Sequence, residues 1–253
     1  MFKGFYNLTS AMLTHQQNLN VVGNNLVNIS TAGYKQERYT ASTFDDVMYS
    51  RVDVNHSGGT EIGRQSYIRA ASETYTDYSQ GIPEPTDLPL DFAIVGDGFF
   101  AVRDPEGNVS YTRMGNFSLD EEGYLCLPGY GQVLDPQGQP IYLSTDKIKS
   151  DSRGIIYYDQ PNNNIAIGQL GVYSFEDNEA LTRDDRGFFT GENAQPSENF
   201  EIWNKYLERS NSDMVKQMTE MITYQRALQS AAQVSKMYDQ LMTRAATEVG
   251  RLQ

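Results

Sequence analysis

Apolar residues at heptad spacing near both ends of the chain constrain its fold more than any other sequence feature. Near the N-terminus they recur at steps of three and four residues, with His15 filling one position: Phe5, Leu8, Met12, Leu19, Val22, Leu26 and Ile29. This spacing places the apolar side chains along one side of an α-helix. Gly33 can supply the left-handed conformation that ends a helix. We therefore predict an N-terminal helix over residues 1–34.

The last fifty residues carry a second stripe of this kind. Ser210 and Asp213 have side chains that can cap a helix, and residues 205–253 contain no proline. The positions assigned to the second stripe are Met214, Met218, Met221, Ile222, Gln225, Leu228, Tyr238, Met242 and Val249. We predict a helical domain over residues 204–253. Because neither helix can bury its own stripe, the sequence favours a coiled-coil pairing of the first helix with the last.

The polar residues beside the first stripe indicate what covers it. Residues 4–34 contain no Lys, Arg, Asp or Glu, and Asn, Gln and Thr stand where an exposed helix usually carries charges. A helix surrounded by other helices gains hydrogen bonds from such side chains without having to desolvate a charge. A helical hairpin within one monomer and self-assembly through both chain ends both explain the stripes, and the missing charges favour self-assembly.

Between the two helices the sequence changes to short apolar runs separated by tight turns. Residues 90–95, 99–102 and 109–112 alternate with Asp-Gly or Asp-x-x-Gly turns, a pattern typical of β-hairpins. Further predicted strands span residues 117–119, 154–158, 165–175 and 187–190. We assign residues 75–203 to an all-β middle domain and the polar residues 35–74 to an extended connector or arm. The predicted fold class is α+β.

Charge and composition exclude several classes of function. The chain has a net charge of −13, and 39% of its residues are hydrophobic. Residues 41–202 contain 27 Asp and Glu against 10 Lys and Arg, whereas both ends are close to neutral. A phosphate backbone would repel such a chain, so we expect no nucleic-acid partner. No run approaches the ~20 apolar residues of a membrane helix, so we expect no direct membrane insertion.

The residue types that usually carry catalysis or bind metals are few and separated. His15 and His56 lie far apart in the sequence, and Cys126 alone can form neither an intrachain disulfide nor a thiolate zinc site. The turn at Gly96–Gly98 is followed by a strand rather than by the helix that a dinucleotide-binding loop requires. The sequence therefore predicts no enzyme activity, no catalytic or cofactor-binding residue and no metal site.

Three blocks of sequence, spread in order over nearly the whole chain, resemble the bacterial flagellar rod and hook protein family. They read NNLVNISTAGYK at residues 24–35, LDFAIVGDGFF at residues 90–100 followed by YTR and GNF, and LERSN at residues 207–211 followed by MITYQRA. The residues that carry the resemblance include Asn24, Asn25, Asn28, Gly33, Tyr34, Asp91, Gly96, Gly98, Phe99, Phe100, Ser210, Asn211, Gln225 and Arg226.

The resemblance implies a structural protein of the flagellar basal body. Members of this family stack helically into a hollow axial shaft that transmits torque and passes exported subunits. The terminal helices form the inner layer, where the two stripes are the expected assembly interface, and the β domain forms the outer layer. The implied partners are further copies of the chain, other axial proteins of the rod and hook, the flagellar type III export apparatus, and bushing or ring proteins around the rod. The implied location is the basal body outside the cytoplasmic membrane, in the periplasm or cell-wall zone.

Two alternatives to a distal-rod subunit are open at the level of sequence. The chain length is close to that of the family's distal rod subunits, but Met114, Ser212 and Leu228 depart from residues that are common in the family. A proximal-rod or hook position is therefore the first alternative. An acidic, β-rich cell-surface binding protein is the second, and it would be expected to carry aromatic repeats or a cell-wall anchor, which the sequence does not show.

Overall fold

The structure is a computed structural model that describes residues 2–43, 47–51, 60–65, 69–159, 165–178, 181–184, 186–197 and 199–250. The chain divides into two compact units. Unit 1 comprises residues 1–26, 37–75 and 213–253, and unit 2 comprises residues 27–36 and 76–212. Within the part of the chain that is described, neither helix has an apolar stretch long enough to cross a membrane.

Unit 1 contains both helices and the first four strands. The helices are α1 (Phe2–Val27) and α2 (Met214–Gly250). The strands are β1 (Glu37–Thr43), β2 (Val47–Arg51), β3 (Thr60–Gln65) and β4 (Arg69–Thr76). β1 pairs with β4, and β2 pairs antiparallel with β3. These strands lie in the segment that the sequence predicts to be an extended connector.

The first helix is shorter than predicted, because polar side chains turn the chain before residue 34. α1 ends at Val27. The Thr31 N–H donates to the carbonyl oxygen of Asn28 at 3.1 Å, and Thr31 Oγ1 donates to Asn28 Oδ1 at 3.3 Å. Asn and Thr side chains compete with the helical backbone for hydrogen bonds and favour turns. Gly33 does have a φ of 67°, but it lies six residues beyond the helix and does not cap it.

The second helix also starts later than the predicted boundary at residue 204. α2 begins at Met214, directly after Asp213. Asp213 Oδ1 accepts hydrogen bonds from the N–H groups of Val215 at 2.8 Å and Lys216 at 3.2 Å. These bonds satisfy donors that have no partner within the helix, so Asp213 is the N-cap. Tyr206–Glu208 form a strand of unit 2, and residues 209–212 link that strand to the cap.

Unit 2 contains the remaining strands, β5 to β20. They are β5 (Pro83–Pro85), β6 (Phe92–Gly96), β7 (Phe99–Arg103), β8 (Val109–Thr112), β9 (Ser118–Leu119), β10 (Leu125–Leu127), β11 (Gly131–Val133), β12 (Ile148–Ser150), β13 (Ile155–Tyr158), β14 (Ala166–Gln169), β15 (Val172–Ser174), β16 (Thr182–Arg183), β17 (Phe189–Thr190), β18 (Gln195–Pro196), β19 (Phe200–Asn204) and β20 (Tyr206–Glu208). Each segment between residues 90 and 190 that the sequence predicts to be extended contains a strand, which confirms the β-rich middle of the chain. The strand predicted over residues 165–175 is divided into β14 and β15, which belong to different sheets.

The largest sheet of unit 2 has nine strands, and β7 lies at its centre. On one side β7 pairs antiparallel with β8. On the other side its first half pairs with β15 and its second half with β11. β17 and β16 continue the sheet beyond β8, β10 and β9 continue it beyond β11, and β18 pairs with β15. Three smaller sheets consist of β12–β13–β14, β6–β19 and β5–β20.

Five turns of unit 2 share the pattern Asp-x-x-Gly. They span residues 104–107, 120–123, 135–138, 151–154 and 184–187. In each turn the glycine N–H donates to the aspartate carbonyl oxygen at 2.9–3.1 Å. Each glycine has a positive φ between 76° and 95°, which residues with a Cβ rarely adopt. A repeated local signal therefore sets where the strands reverse direction.

Alternate side chains of β7 point into two different apolar clusters. Phe100 and Val102 pack in the larger cluster, together with Phe92, and Phe99 packs in the smaller cluster with Phe189. This division follows from the two-residue period of a strand.

Two helices and a mostly β middle confirm the α+β class, whereas the coiled-coil pairing of the helices stays a prediction.

Cys126 lies in β10 between two core residues. Leu125 and Leu127 are buried, whereas Cys126 is half-buried and its Sγ lies 3.3 Å from Ser118 Oγ. We expect Cys126→Ser to lower the free energy of unfolding by less than about 1 kcal/mol, because the new hydroxyl keeps a polar neighbour and leaves no large cavity. Urea unfolding followed by the fluorescence of Trp203 measures the change. A loss of several kcal/mol would contradict this account of the position.

Candidate assembly surface and signature cluster

Three distant parts of the sequence meet inside unit 2. Lys35 follows α1, Arg113 follows β8, and Glu208 ends β20. Their side chains are in direct contact, and Gly33 and Asn211 lie beside them. We call these five residues the signature cluster, because each belongs to one of the three sequence blocks that carry the family resemblance.

Glu208 is the centre of the signature cluster. Its Oε1 lies 2.6 Å from Lys35 Nζ, and its Oε2 lies 3.1 Å from Arg113 Nη1. The Gly81 N–H also donates to Oε1, at 2.8 Å. The side chains of Lys35 and Glu208 are each 1% exposed, and that of Arg113 is 5% exposed. One buried carboxylate therefore pairs with two buried cations.

Two opposing effects act on the pKa of Lys35. Burial lowers the pKa of its ammonium group, and the adjacent Glu208 carboxylate opposes that shift. Lys35 Nζ also donates to the carbonyl oxygen of Ser79 at 2.8 Å. Because breaking one side of such a buried pair leaves an uncompensated charge, the fold depends on all of its members.

Gly33 allows two backbone segments to approach closely. Its N–H donates to the carbonyl oxygen of Glu208 at 2.7 Å. A Cβ at this position would lie 2.3 Å from the carbonyl carbon of Arg113, which is far inside the contact distance of two carbon atoms. A side chain therefore has no room here, and the glycine brings the three segments together.

Asn211 joins the same segments through hydrogen bonds to the backbone. Its Oδ1 accepts from the N–H of Gln36 at 2.7 Å. Its Nδ2 donates to the carbonyl oxygens of Asp77 at 2.8 Å and Ser79 at 3.1 Å. One amide side chain thus connects the residues after α1 with those after β4 and those before α2.

Arg183 contacts both Tyr34 and the backbone of Lys35. Its guanidinium carbon lies 4.4 Å from the centre of the Tyr34 ring, a cation–π distance. Its Nη1 donates to the carbonyl oxygen of Lys35 at 2.9 Å. The signature residue Tyr34 is therefore buried by contacts to the β16 strand of unit 2.

The remaining signature residues of unit 2 include residues near β6 and β7 and one residue before α2. Asp91 is buried, and its carbonyl oxygen accepts from the Lys205 N–H at 2.7 Å. Gly96 and Gly98 have φ values of 106° and 127° in the turn between the strands. Ser210 Oγ accepts from the N–H of Ser212 at 3.2 Å. The contacts and dihedral angles of these residues stabilise the local backbone conformation.

The signature residues of unit 1 do not form one cluster. Asn25 is 1% exposed, and its side chain both donates to the carbonyl oxygen of Glu37 at 2.8 Å and accepts from the Glu37 N–H at 2.9 Å. It therefore mimics a strand partner and fixes the start of β1. Asn24, Gln225 and Arg226 are exposed. Asn28, which belongs to unit 2, is half-buried in the turn after α1.

The two helices of unit 1 lie side by side and run in opposite directions. Contacts between described residues show this: Gly4 lies against Tyr238, the ring centres of His15 and Tyr224 are 6.0 Å apart, and Asn25 Nδ2 lies 3.5 Å from Gln217 Oε1. The residue number rises along α1 as it falls along α2, which defines the antiparallel arrangement.

Burial on each helix follows these contacts at heptad spacing. On α1 the buried or half-buried positions of this face are Gly4, Leu8, Ala11, His15, Asn18, Val22 and Asn25. On α2 they are Gln217, Met221, Tyr224, Leu228, Ala231, Ser235 and Tyr238. We call these two series the helix seam. Polar residues occupy several seam positions, which is why an apolar pattern alone could not locate the seam.

The predicted assembly residues divide between the helix seam and other faces. In the seam lie Leu8, Val22, Met221, Leu228 and Tyr238. Half-buried outside it are Met12, Leu19, Leu26 and Ile29. Exposed are Phe5, Met214, Met218, Ile222, Gln225 and Met242. The side chain of Val249 lies outside the described residues. The single chain therefore uses only part of the predicted interface.

Sequence reasoning missed the charged members of the signature cluster. Lys35, Arg113 and Glu208 stand inside the three resembling blocks, yet none was chosen as a site residue. The available signal was the presence of charged residues in all three blocks, but charged residues are usually solvated and gave no reason to pair these three. Within the described residues, no group of His, Cys, Asp or Glu could hold a metal ion.

Comparison with protein families matches three segments of the chain. Residues 5–35 match the family described as Flagella basal body rod protein. Residues 93–175 match the Flagellar hook protein FlgE/F/G D1 domain, and residues 204–248 match the Flagellar basal body rod FlgEFG protein C-terminal family. These segments contain most of the three blocks and follow the same order.

Individual relatives match over almost the entire chain. The flagellar basal-body rod protein FlgG of Bacillus subtilis is 30% identical, and the match covers 96% of this chain and 97% of the relative. FlgG of Buchnera aphidicola subsp. Schizaphis graminum is 32% identical over 90% of this chain and 92% of the relative. The flagellar hook-basal body complex protein FlhO of Bacillus subtilis is 27% identical over 100% of both chains.

Proposed function

We propose a function from the premise that the chain belongs to the family of bacterial flagellar basal-body rod and hook proteins. It is a structural subunit of the basal-body rod. Our proposal is that its copies assemble helically, through both terminal helices, into the hollow axial shaft that transmits torque and passes exported subunits. The role is structural and requires no catalytic residue or cofactor.

The observation that carries this proposal is the exposed apolar face at the start of α2. Met214 is 47% exposed, Met218 is 46% exposed and Ile222 is 50% exposed. These residues lie on one side of the helix at steps of four residues, and the helix seam leaves them uncovered. A row of large apolar side chains in water is unfavourable and marks a surface that another molecule covers.

The surface of α1 supports the same proposal. Leu13 is 64% exposed and Tyr6 is 62% exposed, and residues 4–34 carry no Lys, Arg, Asp or Glu. Neighbouring copies can therefore pack on α1 without removing charges from water. In the shaft that we propose, the helix pairs form an inner coiled-coil layer around the axis.

The distribution of charge fits an outer position for the β-rich middle. Residues 41–202 carry 27 acidic against 10 basic residues. At a small radius, many copies of such a segment would repel one another. At a large radius, solvent and salt screen the same charges over about 10 Å or less. We therefore propose that this acidic segment lies at the larger radius of the shaft.

The proposal also includes location and partners. We place the chain in the part of the basal body outside the cytoplasmic membrane, in the periplasm or cell-wall zone. Its proposed partners are other rod and hook proteins along the axis, the flagellar type III export apparatus, and the ring or bushing proteins around the rod. We assign it to the distal rod, with the proximal rod and the hook as alternative positions.

Sedimentation velocity over a series of protein concentrations tests self-assembly. We expect the purified chain to change from monomer to large particles as its concentration rises, and electron microscopy to show tubes. An acidic surface-binding protein would instead bind cell-wall polysaccharide and stay monomeric. A monomer at every concentration, together with normal basal bodies in cells that lack the chain, would rule the proposal out.

A further inference from the structure

The last turns of α2 are exposed along the part of the chain whose side chains are described. Near the start of α1, Gly4 lies against Tyr238 of α2. α2 continues to Gly250, about three more turns at 3.6 residues per turn. Each of residues 241–248 is exposed. We call residues 241–250 the overhang.

The heptad series of the helix seam continues into the overhang without a break. The seam positions Ser235 and Tyr238 are followed, at the same steps of four and three residues, by Met242 and Ala245. Met242 is 40% exposed and the neighbouring Leu241 is 62% exposed. The face that α1 covers along most of α2 is therefore present in the overhang, and there it is uncovered.

The opposite end of α2 offers a second uncovered face. It consists of Met214, Met218 and Ile222, and we call it the leading stripe. α2 has 37 residues, which corresponds to about 55 Å at 1.5 Å per residue. The overhang and the leading stripe are thus two different apolar surfaces near opposite ends of one helix.

Both surfaces carry few charges. In the overhang, Arg244 and Glu248 stand four residues apart, and beside the leading stripe Lys216 and Glu220 do the same. At this spacing opposite charges can pair on the helix surface. Residues 213–222, which include Asp213, carry one net negative charge and residues 241–250 carry none, so the two surfaces do not repel each other.

We propose that the overhang of one copy packs against the leading stripe of a second copy of this chain. The inference rests on the proposed self-assembly and names the surfaces that carry it. A contact between two unlike surfaces is heterologous, so each copy keeps a free overhang at one end and a free leading stripe at the other. Repetition of this contact extends a polymer along one direction, as an axial shaft requires.

Disulfide cross-linking between two single-cysteine variants tests the contact. Both are made in the Cys126→Ser background: Ala245→Cys places a thiol in the overhang, and Met218→Cys places one in the leading stripe. The variants are mixed under assembly conditions, oxidised, and analysed by non-reducing electrophoresis. We expect cross-linked dimers in the mixture and their loss when either variant is oxidised alone. Thr247→Cys, on another side of the overhang, is the matched control and should give few dimers with Met218→Cys.

Each outcome decides the inference. Dimers from Ala245→Cys alone would mean a symmetric contact between two overhangs and would overturn it. Polymer without cross-links between the unlike variants would also overturn it, while self-assembly would stand. A mixture that forms neither polymer nor cross-links would refute both the inference and the proposed function.

A charge variant gives a second readout that does not depend on thiol chemistry. Ala245→Asp should abolish polymer in sedimentation velocity, because a carboxylate would enter the apolar contact. Circular dichroism and the thermal unfolding of the monomer should not change, because residue 245 is exposed in the single chain. Thr247→Asp adds the same charge and should assemble normally. Equal assembly of both variants would exclude the overhang from the interface.

Discussion

Glu208→Gln is expected to lower the free energy of unfolding by about 3–5 kcal/mol, the typical cost of removing one partner of a buried ion pair. The variant keeps the size of the side chain but removes the charge between Lys35 and Arg113. Both cations are at most 5% exposed, so water cannot replace the carboxylate. Urea or thermal unfolding of the full chain measures the loss.

The neighbouring strand supplies a matched control for this variant. Glu84 of β5 also pairs with an arginine, at 2.9 Å from Arg209 Nη1, but both side chains are more than half exposed. Exposed pairs contribute about 0–1 kcal/mol, so Glu84→Gln should change stability little. Equal losses from the two variants would show that burial of the signature cluster does not matter.

The Glu208→Gln variant should also gain stability as the pH rises. Burial lowers the pKa of Lys35, and the glutamate that opposes the shift is gone in the variant. The unfolded chain keeps the Lys35 proton up to about pH 10.4, whereas the folded variant releases it at lower pH. The unfolded state then binds more protons, so stability increases with pH between the two pKa values. Arg113 stays charged throughout, so the recovery is incomplete.

Ile222→Asp is expected to abolish polymer formation while the monomer folds normally. Ile222 is 50% exposed in the single chain, and it lies outside the helix seam. The carboxylate is therefore solvated in the monomer, but it becomes buried when a second copy covers this face, at a cost of several kcal/mol per contact. Because every copy repeats the contact, the loss multiplies along the polymer. Motility, electron microscopy of basal bodies and sedimentation velocity measure the outcome.

Two further variants control for the Ile222 result. Ile222→Leu keeps an apolar side chain and should assemble. Asp184→Asn removes a charge from an aspartate that is 45% exposed, and it should affect neither folding nor assembly. Leu19→Asp should also block assembly, but Leu19 is half-buried beside the helix seam, so this variant disturbs the helix pair as well. Normal rods from Ile222→Asp would remove the leading stripe from the interface.

Much of the secondary structure could be predicted from the sequence because its signals are local. Spacing of three and four residues indicated both helices, and apolar runs between Asp-x-x-Gly turns indicated the strands of unit 2. A glycine that must adopt a positive φ acts within one turn and needs no distant partner. The helix ends were less accurate, because turn formation at Asn28 and Thr31 and capping at Asp213 compete with helix propagation.

The candidate site was predictable only in part. The three blocks of residues 24–35, 90–117 and 207–227 located the segments that meet in unit 2, but not the atoms that join them. Apolar periodicity found seam residues such as Val22 and Leu228. It missed Asn25 and Gln217, because their contribution is a hydrogen bond and not an apolar surface.

The sequence by itself determined which residues form helices and turns, and that both ends of the chain carry an apolar face with little charge. Only the tertiary structure decided that Lys35, Arg113 and Glu208 share one buried site, since these residues are separated by 78 and 95 positions along the chain. It also decided which part of each helix the other helix covers. Local propensity depends on neighbours within a few residues, whereas ion pairing and burial depend on which distant segments the fold brings into contact.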